Sequence, residues 1–324
     1  MKHVTILVPD GEGNNLSSIV GTYKILSRAN EYFVSQGKKQ VFEIQLAGIS
    51  GQVNYYDGIF SVKPHTHIGN IVKTDLIIIP SLNHNYEISV DRNTEMIEWI
   101  SDQHQLGAEV ASICTGAFLL AASGLLNGKV CSTHWRASQN LQMRFPEIQV
   151  KPDHLITDEK GIYTNGGAFS FLNLIIYLVS KFFDRQTAIY CSKVFQIDIQ
   201  RSSQSEFIIF SGQKKHADQT VMEAQEYIEK NLKEKITIEE LSAKFAIGRR
   251  NFDRRFIKAT GNTPIEYAQR VKVEFAKRSF ETERKTILEV MDEVGYSDVK
   301  AFREVFRRIT GLTPMEYRTR HAAF

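Results

Sequence analysis

Along residues 1–195, short apolar runs alternate with longer stretches whose apolar positions recur at helical spacing. Val4–Val8, Phe42–Ile49, Asp75–Pro80 and Glu109–Ile113 predict strands, and Leu16–Phe33 and Asn93–Gln105 predict helices between them. Such alternation predicts an α/β domain with a mainly parallel sheet, flavodoxin-like in class. Asp158-Glu159-Lys160-Gly161 predicts a hairpin turn, and an apolar helix follows over Phe169–Phe182.

Residues 196–219 change character: they are polar, rich in Ser, Gln and Lys, with Phe207-Ile208-Ile209-Phe210 as an apolar island. This composition predicts a linker. From residue 220 to 324 no strand pattern survives, and helices are expected with breaks at Gly248, Gly261, Gly295 and Gly311. The expected organisation is an α/β domain over 1–195, a linker over 196–219 and an all-α domain over 220–324.

The all-α part contains a repeat. NFDRRFIKATGNTPIEY (Asn251–Tyr267) aligns with AFREVFRRITGLTPMEY (Ala301–Tyr317), matching Phe252 with Phe302, Phe256 with Phe306, and Gly261 with Gly311. One supersecondary unit is therefore used twice. Thr263 and Thr313 are expected N-caps with Pro264 and Pro314 at the first helical position, and each glycine ends the preceding helix. Upstream, Thr237–Glu240 and Thr286–Glu289 have the form of capping boxes. Their offset is one residue shorter than that of the downstream halves, so the second turn, around Gly295-Tyr296, should be one residue longer.

Each repeat reads as helix, turn, helix. In the first, Phe252, Phe256 and Ala259 share a face, leaving Arg250, Asp253, Arg254 and Lys258 outward. In the second, Phe302, Val305, Phe306 and Ile309 point inward, leaving Lys300, Arg303, Glu304 and Arg307 outward. Basic side chains on the outer face of a turn's second helix suit major-groove reading, with Arg254 and Arg303 candidates for bidentate contact to guanine. Charge agrees: residues 1–213 carry 17 Lys and Arg against 19 Asp and Glu, whereas 214–324 carry 23 against 18. The competing reading is a helical interaction module whose charged faces are simply solvated; it predicts binding insensitive to salt.

Ile238–Tyr317, with GNTPIEY and GLTPMEY ending its halves, resembles the AraC/XylS DNA-binding domain; VGYSDVKAFREVFRRITGLTPMEYR is a particularly specific match. The resemblance implies two helix-turn-helix units joined by a long helix, here about Ile265–Glu281, entering successive major grooves of double-stranded DNA. It also implies base contacts from Arg250, Asp253 and Arg254, and from Val299, Lys300 and Arg303. Arg249-Arg250 resembles the family's usual pair at the start of the recognition helix. Asp253 is less usual on such a face and is suited to orienting Arg249 or Arg250. Arg307 completes the expected DNA-facing set.

In the front domain, Glu109–Ile113 turns directly into a helix at Cys114, flanked by the small residues Thr115, Gly116 and Ala117. A thiol on such an elbow meets the positive end of the helix, and His134 follows another short strand that converges on it. Three readings remain for Cys114: nucleophile, wall of a metabolite pocket, or inert buried thiol. Catalysis needs a neighbouring base and an orienting acid, and the sequence nominates no acid. The expected pocket is Cys114, Thr115, Gly116, His134 and Asn165. SICTGAFLLAASGLLNGKVCSTHW, DLIIIP and RSSQSEF resemble PfpI-like, glutamine-amidotransferase-like domains and, more narrowly, the front half of GlxA-type AraC regulators. In PfpI-like enzymes a His follows the nucleophilic Cys and a Glu supports it; Thr115 stands at that His position. Ser18 stands where such regulators usually carry Asp, and Asn165-Gly166-Gly167 and Phe171 also depart from the pattern. These departures argue against enzymatic activity.

The resulting expectation is a ligand-responsive transcription regulator acting as a homodimer, with a small-molecule effector, without cofactor or metal. The alternative is a cysteine-dependent hydrolase, amidase or glyoxalase-like enzyme fused to a DNA-binding module. No apolar run of transmembrane length occurs, the amino terminus lacks a signal-peptide cleavage pattern, and Cys114, Cys131 and Cys191 form no zinc or disulfide pattern, so a cytoplasmic protein is expected. His65, His67 and His84 read as loop histidines rather than metal ligands, and Tyr86, Trp99 and Trp135 as core or pocket aromatics.

Overall fold

A computed structural model describes all residues of the chain except 12, 13, 83, 84, 215, 235, 323 and 324; His84 therefore lies outside the described residues. The chain divides into two compact units, Met1–Gln204 and Ser205–Phe324.

The first unit runs β1 (Lys2–Val8), α1 (Leu16–Ser35), β2 (Phe42–Gly48), β3 (Val53–Tyr55), β4 (Phe60–Val62), β5 (Thr66–His67), β6 (Leu76–Ile79), α2 (Tyr86–Arg92), α3 (Thr94–Gln105) and β7 (Glu109–Ser112). It continues through α4 (Ala117–Ala122), β8 (Val130–Cys131), α5 (Ser138–Arg144), β9 (Gln149–Val150), β10 (Ile156–Asp158), β11 (Ile162–Asn165), α6 (Phe171–Phe182) and α7 (Arg185–Val194). The main sheet has the order β10-β11-β7-β6-β1-β2-β5, parallel except where β10 meets β11. Strand periodicity sends alternate side chains to two cores. Val4, Ile6, Leu76 and Ile78 pack under α1 and α6, whereas Leu7, Ile77 and Ile79 pack under α3 and α4. Burial on both faces explains why these strands read as continuous apolar runs.

The chain builds outward from β1 to β2 and β5, then returns to β6 and β7. The topological switch therefore lies at the carboxyl ends of β1 and β6, where ligands of open α/β sheets usually bind. Here the loops beyond those ends are tied together: Asn14 bridges Leu82, and the Asn15 N–H donates to the Ser81 carbonyl at 2.8 Å. Cys114 emerges one strand further along, beyond β7.

The second unit is helical: α8 (Gln219–Lys230), α9 (Ile238–Lys244), α10 (Arg249–Thr260), α11 (Pro264–Thr282), α12 (Ile287–Glu293), α13 (Val299–Thr310) and α14 (Pro314–His321). Thr237, Thr263, Thr286 and Thr313 all form complete capping boxes, each with the Glu three residues on. α11 runs through both helical cores, contributing Tyr267 and Ala268 to one and Val273, Ala276 and Phe280 to the other.

Gly261, Gly295 and Gly311 have φ of 70°, 71° and 79°, the left-handed backbone expected of helix breaks, but Gly248 has φ −59° and caps α10. The left-handed residue of the first turn is Ala246, at φ 50°, the repeat-equivalent of Gly295. Only the second site forbids a side chain, since a Cβ at Gly295 would lie 2.2 Å from the Lys233 carbonyl oxygen.

Residues 196–219 do not form a free polar connector. Through Gln204 they pack with the first unit, and from Ser205 they belong to the second. Phe210, from the apolar island, meets Tyr267 edge-on at 5.2 Å.

One acid-sensitive contact in the first unit is explicit. Asp184 caps α7 by accepting from the Thr187 N–H at 2.7 Å and pairs with Lys38 Nζ at 2.6 Å. The Lys38 bond and then the Thr187 amide hold its carboxyl down to about 2. A depressed carboxylate adds stability above its unfolded pKa that disappears as pH falls through the folded one. Asp184→Asn is therefore expected to flatten the loss of stability from about pH 4 down to about pH 2, as measured by urea denaturation across that range.

Candidate nucleic-acid interface and cysteine elbow

The two reading helices are positioned by the same device. In α10, Phe252 and Phe256 are buried, and Tyr267 from the next helix packs on Phe256 edge-on at 5.4 Å. In α13, Phe302 and Phe306 are buried, and Tyr317 packs on Phe306 at 5.5 Å. Each tyrosine hydroxyl donates to a carboxylate, Tyr267 to Glu229 at 2.7 Å and Tyr317 to Glu281. With the inner face fixed, the outer face is determined by helical geometry.

All the expected DNA-facing residues lie on that outer side. Arg249, Arg250, Arg254, Val299, Lys300, Arg303 and Arg307 are exposed, and Asp253 is half-buried. Arg249 pairs with Glu239 at 2.6 Å, and Arg254 donates to Asn251 Oδ1 at 3.2 Å. Among the described residues the side chains of Arg250, Lys300 and Arg303 form neither a hydrogen bond nor an ion pair, so their charge faces solvent uncompensated. No bond ties Asp253 to Arg249 or Arg250, the partners expected for it; Arg249 turns to Glu239 instead.

The helices start differently. α10 has no side-chain cap, whereas Asp298 caps α13 by accepting from the Lys300 and Ala301 amides at 2.8 and 3.4 Å. The connection spans 245–248 in the first repeat and 294–298 in the second, one residue longer, as the unequal offsets predict.

Arg255, missed in the sequence, has a different task. It forms a bidentate pair with Asp218, Nε–Oδ2 2.8 Å and Nη2–Oδ1 2.6 Å, while Asp218 also caps α8. The pair pins α8 to α10, and the Arg255 hydrogen bonds hold the Asp218 carboxyl below its ordinary range. Its only sequence signal is that its repeat-equivalent is the inward-facing Val305.

In the first unit, Cys114 occupies the predicted elbow between β7 and the turn leading into α4, with φ 54°. A left-handed non-glycine backbone at a strand-to-helix turn is strained and requires its neighbours to hold it. Thr133 Oγ1 donates to the Cys114 carbonyl at 2.8 Å, and Thr115 Oγ1 lies 3.0 Å from Ser81 Oγ while bonding the Leu82 carbonyl. Thr115, at the position of the enzymes' His, thus ties the elbow to the loop after β6. Cys114 and Thr115 are only 3% and 4% exposed, so the expected pocket is packed rather than open. Tyr86 stacks on Phe118 at 4.2 Å; burial pushes its phenol up, and adjacent Cys114 adds to the shift.

His134 and Asn165 belong to the adjoining wall. The His134 ring lies over Gly167, where an added Cβ would meet it at 2.7 Å, and its Nδ1 accepts from the Arg136 N–H at 3.1 Å. Asn165 is fully buried; its Nδ2 donates to Ser170 Oγ at 2.9 Å, while its Oδ1 has no hydrogen-bond partner. Burial pushes the Cys131 and Cys191 thiols up to about 12 and about 11, marking both as structural. His65 and His67 spend their Nδ1 atoms accepting from the Leu46 and Gly69 amides, and no group of metal-capable side chains occurs among the described residues. No described helix is long and apolar enough to cross a membrane.

Gly116 fits beneath the β6–α2 connection so closely that a Cβ would lie 2.6 Å from the Pro80 carbonyl oxygen and 2.9 Å from that of Ile79. Neither backbone oxygen can swing aside as a side chain can. Gly116→Ala is therefore expected to destabilise the first unit by about 1–3 kcal/mol, seen as a lower melting temperature of the full chain.

Comparison with known proteins places this architecture. Residues 4–179 match the DJ-1/PfpI family and residues 241–320 match a helix-turn-helix domain. The HTH-type transcriptional regulator GbdR of Pseudomonas aeruginosa is 24% identical over 273 residues, covering 82% of this chain and 72% of that protein. The HTH-type transcriptional regulator GlxA of Rhizobium meliloti is 24% identical over 223 residues, 67% of each chain. Among solved structures, an AraC family transcriptional regulator from Pseudomonas putida superposes with a TM-score of 0.51 at 16% identity, covering 60% of this chain and all 100% of the other; it supports the fold of the front unit. The chain belongs to the DJ-1/PfpI family, in the branch whose α/β domain is followed by an AraC-type helix-turn-helix domain and whose members are transcription regulators.

Proposed function

We propose that this regulator reads DNA with α10 and α13 together and takes its instruction from a small metabolite at the elbow of the front unit. The observation that carries the reading is the pair of equivalent helices, each anchored by a Phe-Phe-Tyr cluster and each turning unpaired cations outward. Base contacts fall to Arg250, Asp253, Arg254, Val299, Lys300 and Arg303, with Arg249 and Arg307 flanking them at the phosphates. Position matters here: Asp253 aligns with Arg303, and Arg254 with Glu304, so the two helices present different charge patterns. The two half-sites should differ in sequence accordingly.

The metabolite site comprises Cys114, Thr115, Gly116, His134 and Asn165. Burial of Cys114 and Thr115 means that a ligand enters only as this wall opens, which is how binding can change the conformation of the protein. The change is read out as altered geometry of a homodimer in the cytoplasm, and so as altered spacing of its reading helices.

A catalytic role for Cys114 has one observation in its favour, the left-handed backbone of the elbow. Against it, Thr115 stands at the base's place and its hydroxyl is committed to Ser81 and Leu82. We therefore assign Cys114 to ligand sensing. Cys114→Ala separates the two roles: a sensor shifts its effector affinity, an enzyme loses turnover.

The decisive experiment is selection of DNA from a random-sequence library by the full chain, followed by binding at increasing salt. Affinity for the selected site should fall steeply with salt. Arg303→Ala should cost about 1–3 kcal/mol on that site and relax preference at one base pair, while Arg307→Ala should weaken all DNA alike and reduce the salt slope by about one. Recovery of unenriched sequence, or affinity independent of salt, would count against the proposal.

A further inference from the structure

Gln204 ends the first unit and is only 2% exposed. Its carboxamide is fully used: the Gly167 N–H donates to Oε1 at 2.9 Å, and Nε2 donates to the Thr133 carbonyl at 2.9 Å, with the His154 carbonyl at 3.3 Å and Ser132 Oγ at 3.4 Å. Its own N–H donates to the Asp153 carbonyl at 3.0 Å. The seat depends on glycine, because a Cβ at Gly166 would lie 2.7 Å from the Gln204 side chain. Thr133 accepts from Gln204 through its carbonyl and donates through its hydroxyl to the Cys114 carbonyl. One residue therefore connects the elbow to position 204.

Two residues further on, the chain is gripped again. Glu206 is 7% exposed and accepts from Arg320 Nη1 at 3.2 Å, with His321 Nε2 at 3.3 Å. The strap then crosses α11, where Lys277 Nζ donates to the Ile208 carbonyl and the Phe210 N–H donates to Glu274 Oε2 at 3.1 Å. Both side chains are nearly buried and paired with each other at 3.2 Å. Glu274 and Lys277 lie on the helix that joins the two reading repeats. Between the anchors at 204 and 206 stands a single residue, Ser205, and two residues of chain span at most about 7 Å. Any change in where Gln204 sits is therefore handed to Glu206 through two residues of chain.

We propose that Gln204 is a positioning residue that passes the state of the Cys114 elbow to the DNA-binding unit. The inference rests on the regulator reading above. Seated, its carboxamide fixes where the strap begins; when Thr133 or the glycine floor moves, it leaves its seat and the strap pulls on Glu206 and α11. Glutamine is required because the seat offers one amide donor to the oxygen and carbonyl acceptors to the nitrogen. A carboxylate there would face the Thr133 and His154 carbonyls with nothing to donate.

The test uses the full chain and the DNA it selects. Gln204→Glu and Gly166→Ala attack the seat from opposite sides, and Gln204→Ala removes the carboxamide without adding bulk or charge. Each variant is expected to shift affinity for the selected site in the same direction by about fivefold or more, the lower range of allosteric coupling. The Gly166→Ala/Gln204→Ala double variant should shift it no further than the larger single change. Hydrogen exchange at the Phe210 amide, which lies in the other unit, should accelerate in Gln204→Ala. Unchanged affinity and unchanged Phe210 exchange in folded Gln204→Ala would overturn the proposal, as would shifts that simply multiply in the double variant. If the wild-type chain selects no DNA, the regulator reading itself fails; if all variants bind the selected site equally, only the relay does.

Discussion

Two aromatic clusters, Phe252-Phe256-Tyr267 and Phe302-Phe306-Tyr317, set the orientation of everything that faces outward from the helical unit. Each joins a reading helix to the helix that follows it, and each places its tyrosine hydroxyl on a carboxylate. Fixing one face of a helix fixes the other, because side chains around it are separated by constant angles. The exposure of Arg250, Lys300 and Arg303 is thus a consequence of buried phenylalanines rather than of the arginines and lysine themselves. Removing any of these rings would open a cavity costing about 3–5 kcal/mol and leave the cations without a defined direction.

The helix between the clusters, α11, runs through both helical cores and carries charged side chains into them. Glu274, Lys277 and Lys272 are all nearly buried along it, and Lys272 loses some of its proton affinity to burial. Buried charges add little net stability but are costly to leave unpaired, so they enforce particular partners. Here those partners include backbone groups of the strap, at Ile208 and Phe210. A segment whose composition suggests a loose tether is instead bound to the helix that sets the spacing of the two readers. The front unit shows the same economy at its elbow, where Thr133 serves Cys114 on one side and Gln204 on the other.

Much of this was legible in the residues. The strands β1 and β6 stood out because burial on both faces leaves mainly apolar runs, and the four capping boxes because Thr-x-x-Glu has a local cause. The extra residue in the second turn followed from counting. What escaped detection depended on contacts between distant positions. The short β3–β4 hairpin has too few residues for a periodicity. Ala246 takes the left-handed backbone that the neighbouring Gly248 seemed made for, since the turn only tolerates that conformation there whereas Gly295 is enforced by Lys233. Arg255 looked like one more basic residue on a basic helix, although Asp218, 37 positions away, turns it into a brace. Gln204 sat in a stretch whose polarity suggested solvent; its partners lie up to 72 residues away. For the elbow, the position of Cys114 was readable from its small neighbours, but its burial was not, because the residues closing over it come from the loops after β6 and β8.

The central claim is that two reading helices act from one body on one stretch of DNA. A base-resolution footprint of the full chain on its selected site tests it most directly. Two protected major-groove patches on one face of the duplex, separated by about one helical turn of 10–10.5 base pairs and each altered by substitutions in its own helix, are the predicted result. A single patch, or two patches that both respond to changes in the same helix, would contradict the account.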